Sequence, residues 1–181
     1  MEKKIPVVVI RELSETDKIL SALKAHGILC AEITFRTACA EEALRLACRT
    51  YPEMDVGAGT VINKAQCRRA LAAGAKFIVS PGFSEDVARL CQRKRIPYYP
   101  GCATPTEIMQ ALKWGITTVK FFPASVYGGL KALKALSAPF PQVKFIPTGG
   151  VNRENMEEYL AFEKTAAIGG SFLVEEALQC E

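Results

Sequence analysis

At 181 residues the chain is long enough for one well-packed domain and short for two. An apolar share of 49%, a mean hydropathy of +0.11 and a formal charge of +4 describe a soluble globular protein with a mildly basic surface. They exclude a membrane span, which needs roughly 18 consecutive apolar residues, and give no reason to expect nucleic acid.

The one dense basic run, QRKR at 92–95, reads as the solvated end of a helix. The seven cysteines, Cys30, Cys39, Cys48, Cys67, Cys91, Cys102 and Cys180, are scattered without C-x-x-C spacing. They read as reduced thiols of a cytoplasmic protein. Arg11 and Glu12 cut the first apolar run too early for a signal peptide.

One unit recurs along the chain: a β-branched or aromatic run, a few polar or glycine residues, an amphipathic stretch, then a glycine or proline stop. The strand candidates are PVVVI (6–10), CAEITF (30–35), DVGAGT (55–60), KFIVSPG (76–82), PYYPG (97–101), TTVKFFP (117–123), VKFIPTGG (143–150) and TAAIGGS (165–171). Their spacing is that of one βα unit each.

The segments between them carry helix signals. SETDKILSALKAHG begins at Ser14 as an expected N-cap and stops at Gly27, and NKAQCRRALAAG pairs Asn63 with Gln66. TPTEIMQALKWG sets Thr104, Pro105 and Glu107 as a capping box ahead of Gly115. The last stretch, SFLVEEALQCE, is short. Eight such units predict a compact α/β fold, a (β/α)8 TIM barrel forming a single domain over 1–181 with shortened termini. The first βα turn lacks G-x-G-x-x-G, which argues against an open dinucleotide-binding sheet.

Barrel chemistry collects at the C-terminal ends of strands, and the costly residue types fall there. Glu32, Thr34 and Arg36 lie two apart on the second candidate strand and so share a face. Thr60 closes the third, Pro81 the fourth and PGCAT the fifth. Lys120 and Phe122 share a face on the sixth, where Lys120 is the only charge in an apolar run. A buried ammonium costs several kcal/mol unless it is paired or sheds its proton, and a neutral amine attacks carbonyls. A plain interior ion pair between Glu32 and Lys120 is the alternative on these residues alone.

The seventh and eighth strands end in PTGG and IGGS. Thr148, Gly149, Gly150, Gly169, Gly170 and Ser171 would form a cup of backbone N–H groups for phosphate or a similar anion. The single histidine, His26, reads as a capping residue before Gly27, and one imidazole does not suit a metal-dependent enzyme. The stripe Ile108, Met109, Leu112 is ordinary helix packing.

Taken together, EITFRT, VGAGTV, VSPGF, KFFPA, FIPTGG and IGGSFLV, in this order and spacing, resemble the 2-keto-3-deoxy-6-phosphogluconate (KDPG) aldolases, which often also split 4-hydroxy-2-oxoglutarate (KHG). The resemblance implies a class I, metal-independent lyase without cofactor, usually homotrimeric, releasing pyruvate from a phosphorylated keto acid. It implies Lys120 as the Schiff-base lysine and Glu32 as general acid and base. By the same resemblance Arg36 holds the pyruvate carboxylate with Thr60 and the backbone near Pro81, and Phe122 packs on the imine. Thr148 would contact the rest of the substrate, and Gly149, Gly150, Gly170 and Ser171 its phosphate. The sequence departs from the family in lacking a helix before the first strand and a full final helix, which bears on stability and assembly and leaves the chemical residues in place. Two rival readings remain: a phosphate-binding isomerase or synthase in which Lys120 only pairs with Glu32, and a non-catalytic barrel that binds an anionic metabolite.

Overall fold

A computed structural model describes residues 3–179. Within them strands and helices alternate: β1 (Lys4–Val8), α1 (Glu15–Ala25), β2 (Cys30–Thr34), α2 (Ala40–Thr50), β3 (Asp55–Gly59), α3 (Lys64–Ala72), β4 (Ile78–Val79) and α4 (Glu85–Lys94). The second half continues with β5 (Tyr98–Tyr99), α5 (Pro105–Lys113), β6 (Thr118–Phe121), α6 (Gly129–Ser137), β7 (Lys144–Pro147), α7 (Met156–Ala161), β8 (Ile168–Gly170) and α8 (Phe172–Gln179).

Six strands form a curled parallel sheet in the order β5-β4-β3-β2-β1-β8, and β6 and β7 form a parallel pair. Single bridges join the two sets: Gly101 to Lys120, Phe145 to Thr165 and Thr148 to Gly169.

The period of two along each strand sorts the core. Val8, Ala31, Ile33, Val56, Ala58 and Ile78 point outward and pack with α1 to α4. Val119, Phe121, Phe145 and Ile168 do the same beneath α5 to α7. The opposite parity gives a third cluster on the concave face, with Ile5, Cys30, Phe77, Val79 and Ile146. Below it, at the N-terminal ends of the strands, a cavity of about 300 Å³ is lined by Ile5, Cys30, Asp55, Lys76, Phe77, Pro97 and Tyr99.

The helix starts follow the sequence in two cases out of three. Thr104 Oγ1 accepts from Glu107 N while the Glu107 carboxylate accepts from Thr104 N at 2.9 Å and from Ala103 N at 2.8 Å. Asn63 Oδ1 accepts from Gln66 N at 2.9 Å. Ser14 is not a cap: it has helical dihedrals and its side chain makes no cap hydrogen bond. The Glu15 carboxylate reaches back to the preceding loop, accepting from Arg11 N at 2.7 Å and Glu12 N at 3.2 Å. Glu15 N and Thr16 N donate to Glu12 O and Leu13 O, so the chain enters the helix through a turn that is already wound.

Strand ends also moved. β1 lies two residues earlier than expected, because Lys4 to Pro6 pair with β8 and Val7 and Val8 with β2. β2 ends at Thr34, so Arg36 belongs to the turn after it and not to the strand. His26 is the C-cap of α1, its Nδ1–H donating to Ala22 O at 2.9 Å. The six described cysteines are thiols, and Cys180 lies outside the described residues.

Candidate active site

Glu32 and Lys120 are the only charged side chains buried among the described residues. They meet although 88 positions separate them: Lys120 Nζ is 3.2 Å from Glu32 Oε1 and 3.3 Å from Oε2. Each neutralises a charge that would be costly alone at that depth. Neither backbone is free to drift. Lys120 N donates to Pro100 O and its carbonyl accepts from Cys102 N, both at 2.8 Å, while β7 pairs along its other edge. Glu32 sits in mid-sheet, paired with Val7 on β1 and Gly57 on β3.

The ring of Phe122 lies 5.4 Å from Lys120 Nζ, within cation–π range. Phe122 therefore walls the amine on one side while Glu32 faces it on another. This arrangement sets an amine beside a carboxylate in a water-poor space, which is what carbonyl addition needs.

A second pair stands at the end of β3. Arg36 Nε donates to Thr60 Oγ1 at 3.1 Å, and the Arg36 side chain is exposed. Thr60 adopts a left-handed φ of +56°, a rare conformation for a β-branched residue. Thr34, expected to share their face, is fully buried and gives its hydroxyl to Val8 O at 3.1 Å. It serves the β1–β2 seam and is not open to the mouth.

The third group gathers where β7 and β8 end. Thr148 is buried, bridged to Gly169, and its carbonyl accepts from Ala124 N at 2.8 Å. Ser125 N donates to Gly149 O at 3.0 Å, stitching the segment after β6 onto the PTGG turn. Gly149 and Gly150 hold φ values of +87° and +78°, which only glycine adopts without strain. Gly170 and Ser171 lead directly into α8, whose first N–H groups face the same end. Pro81 is exposed at the end of β4, its carbonyl close against Gly101 of the neighbouring segment.

Sequence reasoning missed three contributors. Ser125 was unremarked. Tyr98 was read only as strand, yet its hydroxyl accepts from Ser84 N at 3.2 Å and so pins the loop that follows Pro81. Gly59 was read as part of a motif and not as a neighbour of Glu32, which the inward parity of β3 would have revealed.

An α/β fold that buries an amine against a carboxylate on parallel strands is suited to carbonyl chemistry. A family model described as "Aldolase: KDPG and KHG aldolase" matches residues 1–181, and the chain belongs to that family. It is 42% identical over 170 residues to the KHG/KDPG aldolase of Escherichia coli (strain K12), a match covering 94% of this chain and 80% of that protein. The 2-dehydro-3-deoxy-phosphogluconate aldolase of Treponema pallidum (strain Nichols) is 43% identical over 170 residues, covering 94% and 81%.

Among solved structures, the KDPG aldolase of Legionella pneumophila superposes with a TM-score of 0.92 at 42% identity, over 98% of this chain and 93% of that one. That structure holds pyruvate captured as a covalent carbinolamine intermediate. The Zymomonas mobilis ZM4 enzyme, with 3-phosphoglycerate, superposes with a TM-score of 0.91 at 34% identity, over 98% and 90%.

Proposed function

We propose that this chain is a class I aldolase cleaving 2-keto-3-deoxy-6-phosphogluconate to pyruvate and glyceraldehyde 3-phosphate, and 4-hydroxy-2-oxoglutarate to pyruvate and glyoxylate. The observation that carries this is the buried Lys120–Glu32 pair, with Nζ 3.2 and 3.3 Å from the two carboxylate oxygens. The covalent carbinolamine of pyruvate in the Legionella relative supports an amine nucleophile in this family.

The steps follow from those two groups. Glu32 relieves Lys120 of a proton, and the amine attacks the C2 ketone to give a carbinolamine. Glu32 returns that proton to the departing hydroxyl, so that water leaves, a protonated imine forms and Glu32 is again a carboxylate. Glu32 then takes the C4 hydroxyl proton, the C3–C4 bond breaks, and its electron pair moves into the imine, leaving an enamine and an aldehyde. Protonation of the enamine at C3 and hydrolysis release pyruvate and restore the amine. Phe122 packs over the imine.

Arg36 and Thr60, with the backbone near Pro81, hold the pyruvate carboxylate. Thr148 contacts the middle of the substrate, and Gly149, Gly150, Gly170 and Ser171 bind its phosphate or, in hydroxy-oxoglutarate, the second carboxylate. Left-handed glycines and the start of α8 support an anion there.

The same reading closes the sheet into a (β/α)8 barrel over a single domain, 1–181. The Gly101–Lys120 and Thr148–Gly169 bridges, which link the two sets of strands on both sides, support closure. We take the working form to be a cytoplasmic homotrimer on the family resemblance.

Borohydride reduction in the presence of pyruvate, followed by peptide mass spectrometry, tests the proposal. A reduced pyruvyl adduct on Lys120 is expected. An unmodified Lys120 in folded protein would make the lysine a structural ion pair and favour an isomerase or a non-catalytic anion binder.

A further inference from the structure

β3 carries glycine at two inward positions, Gly57 and Gly59, in a strand of five residues. Glycine weakens a strand, and neither residue has the positive φ that would require it. Space is the remaining reason. A Cβ on Gly57 would lie 2.4 Å from the Phe77 ring. A Cβ on Gly59 would lie 2.0 Å from Glu32 Oε1, 2.4 Å from its Cγ and 2.5 Å from its Cδ.

We propose that Gly59 is a positioning residue for the aldol chemistry: its missing side chain is the recess that seats the Glu32 carboxylate with both oxygens facing Lys120 Nζ. The inference rests on the aldolase reading of Glu32 and Lys120 and adds the residue that sets their alignment. The overlap is with side chain and not with backbone, so an added methyl displaces Glu32 from Cγ outward, carboxylate included, and leaves the strand standing. Gly101 makes the contrast. A Cβ there would meet the Pro81 backbone carbonyl at 2.0 Å, which cannot swing aside.

The test compares wild type, Gly59→Ala, Glu32→Gln and the double variant in three assays. These are borohydride trapping of pyruvate, hydrogen–deuterium exchange at the pyruvate methyl group, and KDPG cleavage. Gly59→Ala is expected to keep trapping on Lys120 while methyl exchange and kcat fall by about 100-fold, the scale of an ångström's misplacement. KM should stay within about threefold, since the loss is of transition-state and not ground-state interaction. In the Glu32→Gln background the same methyl should change kcat by less than about twofold, because its target is already disabled.

Wild-type exchange in Gly59→Ala, or an equal loss in both backgrounds, overturns the proposal while leaving the aldolase reading intact. Absence of trapping in wild type overturns the aldolase reading itself. If Gly59→Ala does not fold, Gly59→Ala with Glu32→Asp decides the matter. Folding restored by the shorter acid supports the recess, and a second failure puts the cost on the strand and overturns it.

Discussion

Lys120 and Glu32 would each be expensive under the surface without the other, and the proposed chemistry rests on the pair. Lys120→Ala is expected to lower kcat by more than about 1,000-fold, and Lys120→Arg to do the same, because a guanidinium forms no imine. Glu32→Gln should slow cleavage by about 100- to 10,000-fold, the range for a positioned acid–base group, while borohydride still traps pyruvate. Parallel kcat and trapping assays separate the two roles. Ser171→Ala should weaken the phosphorylated substrate about tenfold more than hydroxy-oxoglutarate, the scale of one hydrogen bond to a charged group. Equal losses in kcat/KM for both substrates would remove Ser171 from the phosphate site.

At the level of elements, the helices depend on local signals and the strands on distant ones. The capping box of α5 satisfies its own N-terminal donors, so Thr104→Ala should cost about 1 kcal/mol in urea unfolding and leave kcat unchanged. Such signals are readable in sequence because donor and acceptor lie three residues apart. Ser14 misled because the chain is already wound before it, with Glu15 N and Thr16 N donating to Glu12 O and Leu13 O. Strand limits were less legible, since β1 begins where β8 offers partners and β2 ends where β3 stops pairing. The parity of Glu32 and Lys120 pointed both inward. The recess at Gly59 follows from the pairing of β2 with β3, but the meeting of Glu32 with Lys120 needed the curl of the sheet.

The whole molecule gains its core from two outer clusters and one concave one, and the eight-fold rhythm that builds them was visible in the spacing alone. The same burial sets a limit on alkaline conditions. Burial pushes the Cys102 thiol up to about 12, and burial likewise holds the Tyr98 phenol up at about 12. Both folded values exceed the unfolded ones, near 8.5 and 10, so above those the unfolded state sheds protons first. Their stabilisation is complete below about pH 8.5 and drains away as pH climbs toward 12, each fully engaged group removing about 1.4 kcal/mol per pH unit. Urea unfolding at pH 8 and pH 10.5 should show the fall, and Cys102→Ala should flatten it.

Thr60 is held at a φ of +56°, where a β-branched side chain costs on the order of 1–3 kcal/mol, and its hydroxyl accepts from Arg36. With the carboxylate-holding role proposed for Thr60, folding and ligand capture make opposite demands on one position. A laboratory population selected only for heat resistance would drift away from threonine there, and one selected for growth on the keto acid would keep it.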